Sequence, residues 1–444
     1  MPAPAASSYP SPSPPPLTIA TLINILCIMS AGLSLSLALY PPPAGDPPIP
    51  LVIGGFFPLT QSPKSRLGHA VKMATEMALS DIAAHPTLLA GYNLTMVLED
   101  TQCKASVGTR AFFELMKRNV RKLVLFGDAC TEVNEPIALA AKYWHIVQIS
   151  YAETHPKFYA GNIEAGEKTS KFTGFYRLVP SEQDFNKARY LFLKEFNWTI
   201  VGTFYQRDVP EFALIHDSFT SGLESTHSIK VTTTESLSTA ILSGAGSISD
   251  HLSTLKAKDS RIIIGDINQT MASSFFCAIY ESQMYGGDYV WLLPGFHDDQ
   301  WWRQSVLDCD QQDFLRALDG HFIVEFVTLR GDRQRTESGK RAEDYEWAFH
   351  RRCREEPLCD AQNPFHGYAY DGVWSIAKAI EKLSHIYALK FGREFDPNRV
   401  DFKQELWERN FMEALNVTVI QGVTGKVVFD HNQRRGKFRI AQFQ

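Results

Sequence analysis

From residue 51 onward, short apolar runs alternate with segments in which apolar residues recur every three or four positions. The run LVIGGFF at 51–57 is apolar throughout, as expected of a strand buried on both faces. The next segment has the spacing of one helix face, and His85-Pro86 ends it. Its apolar positions are Leu67, Val71, Ala74, Ala78 and Ile82. This alternation constrains the fold most, because strands separated by helices pair in parallel through right-handed crossovers.

The same rhythm continues along the first part of the chain. TMVLED at 95–100 and KLVLFG at 122–127 are further strands, with a helix between them at 105–118. Asn134-Glu135-Pro136 opens the next helix, since proline is tolerated in a first helical turn, and HIVQISY at 145–151 follows as a fourth strand. We therefore predict an α/β domain whose mostly parallel sheet has helices on both faces.

A second series of the same kind begins after FYRLVP at 175–180 interrupts the first. Its strands are TIVGTFY at 199–205, RIIIGD at 261–266 and DYVWLLPG at 288–295. Two α/β series joined by several crossings of the chain predict two hinged lobes, each with an open sheet. Ligands of such folds bind at the carboxyl ends of the strands, so we expect a binding cleft between the lobes.

The boundaries of the lobes follow from where the strand series change. We expect residues 51–178 and 327–415 to form the first lobe, and residues 179–326 and 416–444 to form the second.

The last third of the chain is expected to be mostly helical before it returns to strands. GHFIVEF at 320–326 reads as a return connection, and helices are expected near 341–352 and 368–385. KVVFD at 426–430 and KFRIAQF at 437–443 are expected to close the chain as a β-hairpin.

Residues 1–50 form a separate segment with no charge before Asp46 and with proline-rich flanks. The apolar run at 17–40 predicts membrane insertion, either as a cleaved signal peptide or as an uncleaved anchor long enough to span a bilayer. Hydroxyl and other polar residues dilute the run, and Ser36 and Ala38 are small residues at a plausible cleavage site. Both features favour cleavage, while the lack of basic residues leaves the orientation open.

Cysteines and glycosylation sequons favour an extracellular location. Removal of Cys27 with the signal leaves an even number of cysteines, which suits an oxidising compartment. Four N-x-S/T sequons follow, at Asn93, Asn197, Asn268 and Asn416, and we predict that they are glycosylated. The net charge of −5 argues against nucleic acid as a partner.

A search for catalytic or metal-binding motifs finds none that is specific, so we expect no enzymatic activity, no cofactor and no metal. Gly54-Gly55 lacks the third glycine of a dinucleotide turn, and no G-x-S-x-G, H-E-x-x-H or C-x-x-C sequence is present. His297-Asp298-Asp299 is more typical of a solvated turn than of a metal site. Arg330-Gly331-Asp332 is an integrin-type tripeptide that also occurs by chance, and we interpret it as a charged loop.

Several motifs, taken in order, resemble the ectodomains of family-C G-protein-coupled receptors, most of all subunit 2 of the metabotropic GABA-B receptors. They include FGDAC at 126–130, AAKYWHIVQISYA at 140–152, MYGGDYVWLLPG at 284–295, NPFHGYAYDGVWSIAKAI at 363–380 and VTGKVVF at 423–429. The resemblance runs from about Leu51 to Gln444. It implies a bilobed Venus-flytrap fold of the periplasmic-binding-protein type, with bridges Cys103–Cys130 and Cys277–Cys309. Cys353 and Cys359 have no counterpart in the resemblance, and we expect a local bridge between them.

The resemblance also implies where a ligand carboxylate would bind. In the GABA-binding subunit 1, two serines hold that group, and their positions carry Thr131 and Thr154 here. Both threonines keep a hydroxyl, so a carboxylate would still find donors. The alternative is that both are ordinary helix-cap and loop hydroxyls.

The ammonium end of GABA lacks its counterparts. The family's acidic residue falls on Phe365, its tyrosine on Asn268, its cleft tryptophan on Phe296 and its histidine on Val179. An unpaired ammonium in a closed cleft costs roughly 3–5 kcal/mol, whereas micromolar binding is worth only about 8 kcal/mol in total. We therefore expect a cleft without an acid opposite Thr131, and no useful affinity for GABA.

A domain that does not sense the ligand is expected to act as a partner. The resemblance implies a heterodimer with a subunit 1-like chain through the first lobe, with the family's interface tyrosine replaced by Phe113, beside Phe112 and Met116. Family members continue into a seven-helix membrane domain, which is not seen before Gln444. The competing interpretation is a secreted binding protein for an amino acid or organic anion.

Overall fold

The computed structural model describes residues 48–444, except for Pro63, His227 and the ranges 160–169, 296–300, 305–307, 393–394 and 398–403. The strands are β1 Ile49–Phe57, β2 Tyr92–Asp100, β3 Lys122–Phe126, β4 Gln148–Ser150, β5 Phe175–Arg177, β6 Ile200–Gln206, β7 Lys230–Leu237, β8 Ile262–Asp266, β9 Val290–Pro294, β10 Phe322–Phe326, β11 Ile420–Gly422, β12 Gly425–Val427, β13 Phe429–Asp430, β14 Gln433–Arg434 and β15 Phe438–Gln442. The α-helices are α1 Ser65–Ala83, α2 Ala105–Lys117, α3 Thr131–Tyr143, α4 Phe185–Glu195, α5 Pro210–Thr226, α6 Ile248–Ala257, α7 Gln269–Glu281, α8 Trp301–Gln304, α9 Gln311–Leu318, α10 Ala342–Cys353, α11 His366–Phe391 and α12 Glu405–Val417.

The first sheet has the strand order β13-β14-β5-β4-β3-β1-β2. Strands β1 to β5 pair in parallel, and β13 and β14 add an antiparallel pair at one edge. The central strand β1 is buried from Leu51 to Phe57, which explains its unbroken apolar sequence. The alternation of strands and helices predicted for this part of the chain is confirmed.

The second sheet repeats this plan with the order β15-β10-β9-β8-β6-β7. Its strands are parallel except for β15, which runs antiparallel to β10 from Phe322↔Gln442 to Phe326↔Phe438. Residues 320–326 are therefore a full member of the sheet. Two mostly parallel α/β sheets with interleaved helices are present, as predicted for a bilobed fold.

Within residues 48–444, the described elements cross between the two sheets three times: between β5 and α4, between β10 and α10, and between β14 and β15. The expected lobe boundary at residue 416 needs correction, because β13 and β14 extend the first sheet and Gln433 pairs with Arg177. The final crossing to the second sheet is at residues 435–437, about twenty residues later than expected.

The predicted closing hairpin between 426–430 and 437–443 is wrong. Phe429 pairs instead with Arg434, and the strand Phe438–Gln442 pairs with β10 in the other sheet. The cause is a buried anchor, since the carboxylate of Asp371 accepts hydrogen bonds from the amides of Val423 (2.8 Å) and Thr424 (2.9 Å). These bonds hold the 420–427 segment against helix α11 of the first lobe.

Helix α11 is the core of the first lobe. Most of its residues from His366 to Tyr387 are buried, which requires apolar packing all round. It packs along α1 and α12, and Trp374 and Tyr370 are among the largest buried side chains. Aromatic contacts continue this core into the second lobe, where Phe185 and Phe326 have ring centroids 4.7 Å apart.

Candidate functional site: the cleft edge of the two sheets

The strand orders locate the cleft. In each sheet the order reverses beside the first strand, between β1 and β3 in one lobe and between β6 and β8 in the other. Ligands of open α/β sheets bind at the carboxyl ends of the strands at this switch point. Gly127 follows β3 with φ +112°, and a Cβ there would lie 2.1 Å from the Phe56 carbonyl oxygen. Glycine thus allows the ends of β1 and β3 to meet closely at the cleft.

Thr131 begins helix α3 directly after this switch point, and its hydroxyl is already engaged. Its Oγ1 donates to Oε1 of Glu153 at 3.0 Å. The same Oε1 accepts the His155 amide at 2.9 Å, and Oε2 accepts Nδ2 of Asn134 at 2.9 Å. Glu153 is 1% exposed, so its carboxylate is a fully bonded internal group. Burial raises the pKa of Glu153, and the hydrogen bond from Asn134 is the main influence opposing the rise.

Thr154 is engaged in a similar way. Its Oγ1 donates to Oε1 of Glu182 at 2.9 Å, while its carbonyl oxygen accepts the Glu182 amide at 3.1 Å. Thr154 and Glu182 are both half-buried, so this pair lies closer to solvent than Glu153 does. Both hydroxyls that sequence reasoning offered to a ligand carboxylate therefore face a carboxylate of the protein itself.

Arg177, the last residue of β5, supplies positive charge to this region. Its side chain is completely buried, and Nη1 donates to the His155 carbonyl at 2.7 Å. Burial lowers the pKa of Arg177 to about 10, against the opposing influence of the Glu153, Asp184 and Glu182 carboxylates. Its Nε and Nη2 have no hydrogen-bond partner among the described residues. The guanidinium is held mainly by electrostatic attraction to the acids around it.

A network of buried polar side chains holds the loop that precedes Thr131. Oδ1 of Asn134 accepts the Asp128 amide at 2.6 Å, and Nδ2 donates to the Asp128 carbonyl at 3.0 Å. The Asp128 carboxylate accepts from the Thr101 hydroxyl at 2.6 Å and from the Cys130 amide at 2.8 Å. Burial raises the pKa of Asp128 to about 6, with the Thr101 hydrogen bond opposing. This network fixes the loop that presents Thr131.

The acid beside Thr131 was not foreseen, but Glu153 is a buried residue of the same lobe and does not test the expectation that no acid lies opposite Thr131. Sequence reasoning compared only positions known to bind ligand in relatives, and so missed Glu153, Glu182 and Arg177. A usable signal was present for two of them, because ISYAETHP places Glu153 just after a strand and FYRLVPSE places Arg177 at the end of another. Residues at the ends of parallel strands share one edge of a sheet.

The corresponding edge of the second lobe has neutral groups at the start of helix α7, after the acid Asp266, which is paired with Arg189. Asn268 caps helix α7, where its Oδ1 accepts the Met271 amide at 3.0 Å, and its own amide donates to Oε1 of Gln206 at 3.1 Å. Gln206 is fully buried and also donates to the Thr239 hydroxyl at 2.6 Å. Phe296, the other residue expected on this side, lies outside the described residues.

Phe365 and Val179 do not carry cleft chemistry. Phe365 is 5% exposed and belongs to the hydrophobic core just before α11, where its amide donates to Oδ1 of Asn363 at 2.8 Å. Val179 is fully buried in the same core. A cavity of about 130 Å³ lies next to Phe365, between elements of both lobes, and its lining includes Asn363, His366, Glu346, Glu325 and Arg439. Glu325 and Arg439 form an ion pair there at 2.5 Å, so the cavity contains a balanced charge pair.

Comparison with known proteins now identifies the domain. Residues 70–444 match the family of receptor ligand-binding regions. The chain belongs to this family.

Its relatives include receptor subunits of one type. The gamma-aminobutyric acid type B receptor subunit 2 of Caenorhabditis elegans is 37% identical over 370 residues, which cover 83% of this chain and 40% of that protein. The Homo sapiens subunit 2 is 34% identical over 401 residues, covering 88% of this chain and 40% of that protein. Subunit 1 of Mus musculus is 26% identical over 396 residues, covering 86% of this chain and 38% of that protein. The chain is thus a receptor ligand-binding region similar to that of subunit 2, and it spans about 40% of the length of those relatives.

In this receptor domain, the surface of the first lobe has exposed aromatic side chains on helix α2 and at the end of helix α3. On helix α2, Phe112 is fully buried and Phe113 is 41% exposed. The rings of both contact Trp144, at centroid distances of 5.6 and 5.7 Å, and the neighbouring Tyr143 is 82% exposed. Phe113 is therefore placed on the surface, as a contact residue requires, while Phe112 is a core residue.

Three disulfides are present: Cys103–Cys130, Cys277–Cys309 and Cys353–Cys359. The first ties the loop after β2 to the residue preceding Thr131, so it also fixes the cleft edge. Glu132 lies close to that bridge, but the bridged sulfurs are not thiolates and offer no metal ligands.

The remaining motifs have structural settings. The sequon residues Asn93, Asn197 and Asn416 are exposed, and Asn268 is half-buried. Arg330 pairs with Asp332 at 2.7 Å inside its own tripeptide, so the tripeptide is self-paired. Among the described residues, no helix combines the length and apolarity needed to cross a membrane, and residues 17–40 lie outside them.

Proposed function

We propose that this chain is the extracellular ligand-binding-type region of a GABA-B receptor subunit 2-like protein that does not bind GABA and acts as the heterodimer partner of a subunit 1-like chain. The observation that carries the ligand part is the pair of internal carboxylates at Thr131 and Thr154. G-protein-coupled GABA signalling is proposed for the whole receptor, of which this region is one part.

The charges of the first-lobe edge oppose the carboxylate end of an amino-acid ligand. A carboxylate placed at Thr131 would lie beside Glu153, and two like charges about 4 Å apart repel by roughly 4 kcal/mol at an effective dielectric of about 20. Glu153 cannot serve the ammonium end instead, because its oxygens are buried and already accept three hydrogen bonds. Phe365 offers no charge at all.

Isothermal titration calorimetry with GABA tests this part of the proposal. We expect no heat of binding up to millimolar GABA for the isolated ectodomain, and unchanged GABA affinity of a subunit 1-like ectodomain measured under the same conditions as a positive control. Micromolar binding of GABA to this chain alone would refute it and favour a secreted amino-acid binding protein.

The partner part of the proposal is supported by the exposed aromatic face. Phe113 and Tyr143 leave apolar area on the first lobe, and aromatic residues are common anchors of interfaces. The phenylalanine ring still contributes packing against Trp144, without a hydroxyl for a polar contact.

Co-purification of this chain with a subunit 1-like ectodomain tests the partner role. We expect Phe113→Ala to raise the dissociation constant of the heterodimer at least tenfold, because the substitution removes an anchor side chain. Phe196→Ala is a matched control, since Phe196 is 50% exposed but lies on α4's end in the second lobe. Equal pairing by both variants would reject Phe113 as an interface residue.

The proposed location is the extracellular side of the plasma membrane, or the outside of the cell in secreted form. Three disulfides and exposed sequons suit such a location. Residues 17–40 would anchor the chain if they are retained. The similarity to receptors supports a role without catalysis.

A further inference from the structure

The groups around the Glu153 carboxylate are all donors or positive charges. They are the Thr131 hydroxyl, the Asn134 side-chain amide and the His155 main-chain amide, each at 2.9–3.0 Å. Arg177 adds a buried guanidinium that attracts the same carboxylate. Hydroxyl, amide and guanidinium donors around one point form the set by which proteins hold a carboxylate or a similar anion.

Two further observations indicate an anion site rather than an ordinary buried acid. Arg177 is completely buried, and its Nε and Nη2 have no hydrogen-bond partner among the described residues, so the region holds buried donors that lack acceptors. Helix α3 begins at Thr131 and its preceding residue Cys130 makes no side-chain cap, so an anion near this end is favoured by the helix dipole.

The start of helix α7 in the second lobe corresponds to the start of helix α3, but it lacks this set of donors around a carboxylate. Helix α7 follows the equivalent strand of its sheet, and there the Asn268 side chain caps the helix directly. In the described part of the chain, Asn268 forms hydrogen bonds with Gln206 and Met271, and the nearby Asp266 is paired with Arg189 instead. An acid bonded to the residue at the helix start is therefore seen at Thr131 and not at Asn268.

We propose that Glu153 is an internal anion filling a carboxylate-binding subsite of the first lobe, and that it is the residue that keeps external carboxylates out. This inference rests on the proposed function, because it explains why a domain of this fold would not take up an amino acid. Thr131 is half-buried, so the subsite reaches the cleft on that side, while Glu153 fills its interior.

Replacement of Glu153 by alanine gives a direct test. Glu153→Ala deletes a CH₂–COO⁻ fragment, for which acetate is the matching free molecule. Acetate should then bind to the variant, with a dissociation constant of about 1–10 mM for so small a ligand. The measurement is thermal unfolding of the full ectodomain in increasing sodium acetate, with sodium chloride at equal ionic strength as the reference.

The expected result is a saturable rise in the unfolding temperature of Glu153→Ala with acetate, and none for the wild-type chain. Methylammonium chloride should give no rise, because the subsite is selective for anions. Glu182→Ala is the matched control: its carboxylate is half-buried, and acetate should not produce saturable stabilisation. Equal curves in acetate and chloride for Glu153→Ala overturn the proposal.

A second variant decides the matter if Glu153→Ala does not fold. Glu153→Gln has the same shape but no charge, so it should unfold several degrees below the wild type, whereas Glu182→Gln should unfold within one or two degrees of it. Wild-type stability of Glu153→Gln would overturn the proposal, because the donors around Glu153 would then not require an anion.

These outcomes are separate from those that test the proposed function. Binding of GABA by the wild-type chain, or failure to pair with a subunit 1-like chain, would remove the proposed function. If acetate fails to stabilise Glu153→Ala and nothing else changes, only the proposed role of Glu153 is refuted. Glu153→Ala is expected to pair normally with the subunit 1-like chain, because Glu153 is 1% exposed whereas Phe113 is on the surface.

Discussion

The two lobes share a topology but place different chemistry at the same edge of their sheets. In the first lobe, the edge carries the Glu153 carboxylate, the buried Arg177 and the acid Glu182. In the second, it carries Asn268, which caps its helix, and the acid Asp266, which is paired with Arg189. The comparison shows that the same edge of two similar sheets can hold its acids either by hydroxyl and amide donors or by an ion pair.

The two lobes also differ in the groups that are bonded to a buried acid. Arg189 and Asp266 form a two-point ion pair in the second lobe, with contacts of 2.5 and 3.1 Å and both side chains buried. The buried Asp128 of the first lobe instead depends on hydroxyl and amide donors. Asp266 is thus neutralised by a directly bonded cation, whereas Asp128 is stabilised by hydrogen bonds from neutral groups.

The largest expected effect comes from breaking the second-lobe pair. Asp266→Ala leaves Arg189 as an unpaired buried cation, so the free energy of unfolding should fall by about 3–5 kcal/mol. Glu114→Ala is the control, because Glu114 pairs with Arg110 on the helix surface at 3.7 Å and its loss should have little effect. Urea denaturation of both variants makes the comparison, and similar midpoints would show that the pair contributes nothing.

The second-largest expected effect is a pH dependence of stability that arises from Asp128 in the first lobe. Because burial raises the pKa of Asp128 from 3.8 to about 6, the folded chain binds this proton more tightly than the unfolded chain. Its contribution to stability is therefore full below about pH 4 and is lost as the pH rises through 6. Over this range the loss is on the order of 2–3 kcal/mol.

Asp128→Asn should remove this component of the pH dependence. Urea denaturation between pH 4 and pH 7 is expected to show a smaller decline for the variant than for the wild type, because the amide does not titrate. A wild-type curve with the same slope as the variant would contradict the assignment to Asp128.

The smallest effect comes from the cap on helix α7. Asn268→Ala removes the acceptor for the Met271 amide and should cost about 1 kcal/mol of unfolding free energy. Asn93→Ala is the matched control, because it also removes a sequon. Asn93 is exposed on strand β2, so its loss should change stability little. Glycopeptide mapping of both variants separates loss of sugar from loss of the cap, and equal stability would reject the capping role.

Much of the fold follows from local sequence pattern. The unbroken apolar run at 51–57 predicts a strand buried on both faces, and the three-to-four spacing after it predicts helix α1. These patterns are legible because strand and helix faces depend on neighbours a few residues apart. The closing strands were mispredicted because their pairing depends on Asp371, about fifty residues earlier in the chain.

The candidate site was only partly predictable. Its position at the carboxyl ends of the strands and the importance of Thr131 and Thr154 follow from sequence and resemblance. The acids that occupy their hydroxyls were missed, since Glu153 is 22 residues from Thr131 and Glu182 is 28 residues from Thr154. The burial of Phe365 was likewise not evident from its neighbours in sequence.

By itself the sequence determined the alternation of strands and helices, the two parallel sheets and the membership of a receptor family, because periodicity and motif order are properties of the linear chain. Only the tertiary structure decided which lobe holds residues 416–434, which of Phe112 and Phe113 is exposed, and which carboxylate fills the Thr131 site. Those outcomes depend on contacts between residues far apart in the chain, where packing and charge are set by the folded arrangement.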